Sequence, residues 1–193
     1  MPRTEPGQSP RGVLLAALMA LALPSVAATN DAEPATNTTA ASVSPTRLVV
    51  LDVELIGDLG GPAYEAEHEA RLRMASALLR EQLSATRLYE VADNSRAAAL
   101  IESLKARQSL RQCNGCEFDI ANQLGAQQVL VPWVYRVSNL ILTLNYEIRD
   151  VATGETVTRK AFDFRGDNDA AWRHAIAYMV RDLKERVARP PER

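Results

Sequence analysis

The chain has 193 residues, of which 47% are hydrophobic and 24% are charged, with a formal net charge of −2 and two cysteines. A weakly acidic chain without a run of basic residues does not suit nucleic acid or an anionic membrane surface as its main partner. The length fits one domain of ordinary size with shorter flanking segments.

The amino-terminal residues have the pattern of a secretory signal peptide. Arg3 and Arg11 precede an unbroken apolar run over residues 13–23, and small residues follow it at 25–28. This run falls short of the roughly 20 residues that a membrane-spanning helix needs. No cysteine lies near the cleavage site, so a lipid anchor is not expected. We therefore predict a signal peptide over residues 1–28, a periplasmic or secreted mature protein, and no stable membrane anchor after cleavage.

Composition divides the rest of the chain. Residues 29–46 are mostly Ala, Thr, Ser, Asn and Pro with almost no large apolar side chain, which predicts a disordered linker. Residues 47–188 then form a single domain, and residues 189–193 are a short tail.

The first half of the predicted domain alternates strands and helices. A β-branched apolar run predicts a buried strand over residues 47–55, which ends at a loop rich in glycine. Apolar residues at helical spacing predict a helix over residues 66–86. A short strand over residues 89–91 leads to a helix over residues 96–110, with N-cap candidates just before it.

The second half predicts a short helix, three strands and a final helix. The helix spans residues 117–124, and the strand that begins at Val129 contains Pro132, which predicts an edge position or a bulge. Apolar and polar residues alternate over residues 140–149, which is typical of a strand with one buried face. A further strand covers residues 156–164. The last helix carries an apolar stripe: Trp172, Ile176, Met179, Leu183 and Val187.

These elements predict an α/β (α+β) fold in the order β-α-β-α-α-β-β-β-α. The sheet is expected to be mixed, with about five strands, and the helices are expected mainly on one face.

Two segments carry a resemblance to known bacterial envelope domains. Residues 124–134, LGAQQVLVPWV, and residues 149–155, RDVATGE, resemble the amino-terminal domain of TolB and the related domain of the curli secretion lipoprotein. The CxxCE motif, the VSNLIL stretch and the RGDN turn are similar to a family of secreted bacterial proteins of unknown function. The resemblance implies the fold and no catalytic residues. The lipid-attachment cysteine of the curli-type domains is missing, so a pore or membrane-anchored role is not expected.

The pair Cys113 and Cys116 is the sharpest chemical feature of the sequence. Asn114 and Gly115 between them favour a tight turn, and no strand leads into the motif as in thioredoxin-like proteins. A structural disulfide is the favoured interpretation, and a redox-active pair is the alternative. Glu117 stands where a c-type haem would need histidine. A second CxxC or an HxxxH that could complete a zinc site is missing, so we predict no metal and no cofactor.

The remaining polar residues form no recognisable catalytic set. His68 and His174 are both expected on wet helix surfaces, and neither belongs to a nucleophile motif. Asp52 and Glu54 point to the same side of the first strand and are the one carboxylate pair of interest. The run Asp167, Asn168 and Asp169 is expected to cap the last helix, where the two carboxylates are stabilising. We therefore predict that the protein is not an enzyme.

Trp133 and Tyr135 are the candidate partner surface, because aromatic residues beside an interrupted strand can mark an interface. Tyr146 is expected to face across to them. Packing of Trp133 under the last helix is the alternative. The favoured function is a non-enzymatic periplasmic accessory protein that binds another envelope or secreted protein of unknown identity. A thiol-disulfide factor using the CxxC pair is the alternative, and ligand or peptidoglycan binding by the loop over residues 56–64 is a third possibility.

Overall fold

The computed structural model describes residues 45–188. The predicted signal peptide, nearly all of the predicted linker and the predicted tail lie outside the described residues. Within the described range, none of the helices combines the length and hydropathy needed to cross a bilayer.

Six strands form one mixed sheet. Its order is β3-β1-β4-β5-β6, and β2 lies beside β4 just beyond the end of β1. The strands β1 to β4 run parallel, whereas β5 and β6 extend the sheet antiparallel. The strands are β1 (Thr46–Val50), β2 (Glu54–Gly57), β3 (Tyr89–Val91), β4 (Gln128–Arg136), β5 (Ile141–Asp150) and β6 (Thr156–Arg165).

Four helices cover the sheet unequally. The two long helices, α1 (Glu65–Thr86) and α4 (Asp169–Ala188), pack side by side on one face and enclose the main core. The two short helices, α2 (Ala98–Lys105) and α3 (Cys116–Gln123), pack on the other face over a smaller second core. The predicted α/β class, mixed sheet and predominance of helix on one face are confirmed.

The first predicted strand is divided into two. β1 ends at Val50, and the N–H of Leu51 still donates to the carbonyl of Leu130 at 3.0 Å. The N–H of Val53 then turns away from the sheet and donates to the hydroxyl of Ser76 on α1 at 2.9 Å. β2 resumes the pairing with β4 at Glu54.

Pro132 occupies neither an edge nor a bulge, so that prediction is wrong. It lies inside β4, opposite Tyr146 of β5. The carbonyls of Leu130 and Arg136 both point toward β1 and β2, so the nitrogen of Pro132 faces the same side. That side is the gap between β1 and β2, where no described strand requires a donor. The interruption expected in β4 therefore lies in its neighbour.

Several helix and strand boundaries also differ from expectation. The predicted helix over residues 96–110 begins with a 3₁₀ turn at Asn94–Ala97 and ends at Lys105. The alternation along β5 is confirmed from Leu142 onward, but Leu140 lies in the preceding turn and is exposed. Val187 is likewise exposed, and the buried stripe of α4 ends at Leu183.

Candidate functional site

The sheet face opposite the long helices is only partly covered. α2 and α3 pack over β1 and the start of β4, and the described helices leave the rest of this face bare. The side chains that point outward from β4, β5 and β6 beyond this point form a surface that we call the open face. Its members are Trp133, Tyr135, Ile141, Thr143, Asn145, Glu147, Arg159, Ala161, Asp163 and Arg165.

Both predicted aromatic residues lie on the open face. Tyr135 is 46% exposed and pairs with Thr143, while Ile141 lies nearby on the same face and is equally exposed. Trp133 is only 7% exposed. The pairing places these residues together because positions two apart on one strand share a face.

Two guanidinium groups cover the indole of Trp133. Arg111 lies 5.4 Å from the ring centroid and Arg159 lies 5.8 Å from it, both within the range of a cation–π contact. The alternative that Trp133 packs under the last helix is wrong, because it lies on the opposite side of the sheet. Tyr146 is directed into the main core, where its ring stacks on Phe162, so the expectation that it faces Trp133 is also wrong.

The cysteine pair lies at the start of α3. Cys113 and Cys116 are at disulfide distance, with their Cα atoms 5.5 Å apart. Gly115 takes a positive φ of 99° between them, a backbone conformation that residues with a Cβ rarely adopt, and this closes the turn. Cys116 is the first residue of α3, is 3% exposed and belongs to the second core.

A buried ionic cluster was not anticipated from the sequence. At its centre, Asp167 accepts hydrogen bonds from Arg136 Nε at 2.7 Å, Arg71 Nη1 at 2.9 Å and Trp172 Nε1 at 3.1 Å. His68 Nε2 lies 3.2 Å from the same carboxylate. His68 is buried, so its expected place on a wet surface is wrong. Helical spacing could have indicated this burial, because His68 lies four residues before Leu72 and therefore on the face of α1 that packs against the main core.

Of the run predicted to cap the last helix, Asn168 has that role and Asp167 does not. The side-chain Oδ1 of Asn168 accepts from the N–H of Ala171, and its carbonyl accepts from the N–H of Trp172. Burial alone would raise the pKa of Asp167. The hydrogen bonds from Arg136, Trp172 and His68 outweigh burial, and the net effect holds the pKa below its usual value.

The predicted carboxylate pair separates into two different environments. Asp52 lies between Arg80 Nη1 at 3.0 Å and Lys105 Nζ at 3.2 Å. Burial alone would raise the pKa of Asp52, but these two cations outweigh it and the pKa is lowered. Glu54 accepts the backbone N–H of Arg111 at 3.2 Å. The two carboxylates share no proton or partner, so the geometry does not favour acid–base chemistry by this pair.

The remaining candidates have surface positions. His174 is exposed on α4, as predicted. The glycine-rich loop lines a cavity of about 400 Å³, to which Leu59 and Pro62 contribute together with His68 and Leu72.

Fold and site together define a class of protein: a single mixed α/β domain whose sheet is covered by two long helices on one face and left partly bare on the other. The chain belongs to the family described as "Protein of unknown function (DUF2380)", whose model matches residues 46–183. The predicted membership in a family of unknown function is thereby confirmed. No curated protein matches the chain.

Solved structures similar to this chain include those of several bacterial proteins. The "LpoB C-terminal domain from Salmonella enterica" is 20% identical with a TM-score of 0.44, covering 62% of this chain and 82% of that chain. The "PelC dodecamer from Paraburkholderia phytofirmans" is 12% identical with a TM-score of 0.42, covering 75% and 85%. TolB from Acinetobacter baumannii is 9% identical with a TM-score of 0.43, covering 75% and 28%. At these values the similarities carry no information on function.

Proposed function

We propose that this chain is an exported, non-enzymatic accessory protein that binds another envelope or secreted protein through the open face. The observation that carries the proposal is the exposure of Tyr135 and Ile141 on a sheet face that the described helices leave bare. A sheet face that meets only water is normally polar. Large apolar side chains grouped there are typical of an interaction surface.

The chemistry around these two residues also fits a protein partner. Trp133 with its two arginines provides an aromatic and guanidinium centre, and both residue types are enriched at the energetic centre of interfaces. Thr143, Asn145 and Asp163 supply a polar surround. The surface of the partner is therefore expected to combine apolar side chains with hydrogen-bond donors and acceptors.

Export is supported by two independent features. The first is the signal-like pattern of residues 1–28. The second is the cysteine pair at disulfide distance, because disulfides persist in oxidising compartments and are rare in the cytosol. The non-enzymatic part of the proposal depends on the sequence, in which no catalytic motif is recognisable.

The cysteine pair is assigned a structural role in this proposal. A redox-active thiol must be accessible and held in an electropositive environment. Cys116 is buried against the apolar second core, whereas Cys113 is only partly buried. A disulfide here would fix the turn that begins α3, and this is the role that we assign to the pair.

Site-specific photo-cross-linking tests the proposed face. A photo-reactive phenylalanine analogue would replace Tyr135 on the open face or, as the matched control, Tyr178 on α4. These two tyrosines are 46% and 47% exposed and lie on opposite sides of the sheet. The proposal predicts a discrete adduct in the periplasm from position 135 alone. No adduct at 135, or the same adduct from both positions, would contradict it.

Binding of the captured protein can then be measured with purified components. Tyr135→Ala and Ile141→Ala are expected to weaken it at least tenfold, because truncation of an anchoring residue at the centre of an interface typically costs about 2 kcal/mol or more. Tyr178→Ala should leave the affinity unchanged.

A further inference from the structure

A second feature, separate from the open face, lies where two connections leave the sheet in opposite directions. The chain leaves β1 toward α1 on one face, and leaves the adjacent parallel strand β3 toward α2 on the other. In open α/β sheets, such a switch point at the carboxyl ends of the strands is the usual position of a ligand crevice. A cavity of about 680 Å³ lies beside the carboxyl end of β1, between α1 and the end of α2, and is within the size range of small-molecule sites.

One end of this cavity carries an excess of positive charge. Arg80 on α1 and Lys105 on α2 both contact the carboxylate of Asp52, so two cations share one anion. Their side chains remain 29% and 43% exposed and retain donors that Asp52 does not use. A second carboxylate, supplied by a ligand, would complete the charge balance at this end through charge-assisted hydrogen bonds.

The other end carries a carboxylate without a cation. Glu54 lines the cavity, and its carboxylate accepts a hydrogen bond from the backbone N–H of Arg111. Among residues 45–188 it forms no salt bridge. The other charged pair of the cavity, Glu69 with Arg73, is neutralised within itself at 3.5 Å on the helix surface.

Apolar side chains lie between these two charged ends. Val53, Leu55, Leu72 and Leu110 contribute to the lining. Asp52 and Glu54 are two residues apart, so their Cα atoms are at most about 7 Å from each other, and a dipeptide in extended conformation has a similar length. The cavity thus has a cationic end, an apolar middle and an anionic end at dipeptide spacing.

We propose that this cavity binds a short zwitterionic peptide of dipeptide length, with its carboxylate on Arg80 and Lys105, its ammonium group on Glu54 and an apolar side chain against Leu72 and Leu110. The cavity does not include Tyr135 or Ile141 of the open face, and this proposal does not rest on the proposed partner surface. Neither terminus of the ligand reacts; the cavity recognises both charges at once.

Isothermal titration calorimetry with four dipeptides tests this proposal: Ala-Ala, Ala-Leu, Leu-Ala and Ala-Phe, each up to about 10 mM, which covers the weak end of specific binding. At least one dipeptide with a leucine or phenylalanine is expected to bind. N-acetylation or C-amidation of that dipeptide should each weaken binding about tenfold or more, because each removes a charge-assisted hydrogen bond. No binding by any of the four, or equal binding by capped and free forms, would overturn the proposal.

Two variants test which end of the dipeptide binds at which end of the cavity. Lys105→Gln should weaken the free dipeptide but have little further effect on the C-amidated form, and Glu54→Gln should behave in the same way toward the N-acetylated form. Lys184→Gln and Glu185→Gln, exposed on α4, are the matched controls and should bind as the unmodified protein does. Thermal unfolding of all four variants verifies that they fold. If folded Lys105→Gln and Glu54→Gln bind as tightly as the controls, the assignment is wrong.

Discussion

Arg136 Nε donates a hydrogen bond of 2.7 Å to Asp167, and the two side chains are only 3% and 5% exposed. Arg136 ends β4, whereas Asp167 lies in the connection between β6 and α4. Arg71 and His68 reach the same carboxylate from α1. One buried carboxylate therefore joins α1, the end of β4 and the connection between β6 and α4, which are distant in sequence.

Asp167→Asn should destabilise the protein strongly. The substitution keeps the shape of the side chain but removes the negative charge. It leaves the buried guanidinium groups with more exposed carboxylates: Asp58 lies 3.9 Å from Arg136, and Asp169 and Glu67 lie 3.2 Å and 3.8 Å from Arg71. Breaking a buried ion pair in this way costs about 3–5 kcal/mol. Urea unfolding at neutral pH measures the change. Asp182→Asn, which removes the partner of Arg186 within α4, is the control and should cost about 0.5 kcal/mol or less.

The contribution of Asp167 should also depend on pH. Its pKa is lower in the folded protein than the value of about 3.9 in an unfolded chain, because the bonds from Arg136, Trp172 and His68 outweigh its burial. A carboxyl group with a lowered folded-state pKa stabilises the protein above the unfolded pKa, and this stabilisation disappears as the pH falls through the folded value. The difference in unfolding free energy between wild type and Asp167→Asn should therefore be larger at about pH 5 than at about pH 3, because it narrows below about pH 4. A difference that stays constant to pH 2.5 would show that charge is not its cause.

The elements of this fold were predictable where one periodicity extends over many residues. The alternation along β5 and the stripe Trp172, Ile176, Met179 and Leu183 of α4 each bury one face, and the structure follows both patterns. The edge or bulge position predicted for Pro132 was wrong because the rule considers the proline alone and not the course of the neighbouring strand. The break between β1 and β2 that accommodates it depends on the side chain of Ser76, which lies on another element.

The candidate site was predictable only in part for the same reason. Tyr135 could be placed on a partner surface from its position in a strand, but the coverage of Trp133 by Arg111 and Arg159 depends on long-range pairing. The ionic cluster joins residues 68 and 71 to residues 136 and 167. Spacing along α1 could place His68 and Arg71 on the buried face, but could not identify the carboxylate that meets them.

Reduction of the cysteine pair should lower stability without affecting partner binding. A disulfide between Cys113 and Cys116 closes a very short loop, so the entropy model gives a stabilisation of about 2 kcal/mol. The thermal midpoint with and without reductant measures this effect, and the Cys113→Ser/Cys116→Ser double variant should be insensitive to reductant. If reductant leaves the wild-type midpoint unchanged but abolishes binding to the captured partner, the structural role assigned to the pair is wrong.

Tyr146→Phe should maintain or raise stability at neutral pH and make the protein more resistant to alkali. The hydroxyl of Tyr146 is buried, and no described residue bonds to it, so its removal costs no hydrogen bond and relieves up to about 1 kcal/mol of desolvation.

Burial, assisted by the charge of Asp182, raises the pKa of Tyr146 to about 12. A tyrosine whose folded-state pKa exceeds the unfolded value of about 10 contributes stability that is complete below pH 10 and is lost as the pH rises toward 12. Unfolding free energies measured from pH 8 to 11.5 should therefore decline less steeply for Tyr146→Phe than for wild type. Tyr135→Phe, on the open face, is the control and should follow the wild-type curve. Parallel curves for wild type and Tyr146→Phe would contradict the raised pKa assigned to Tyr146.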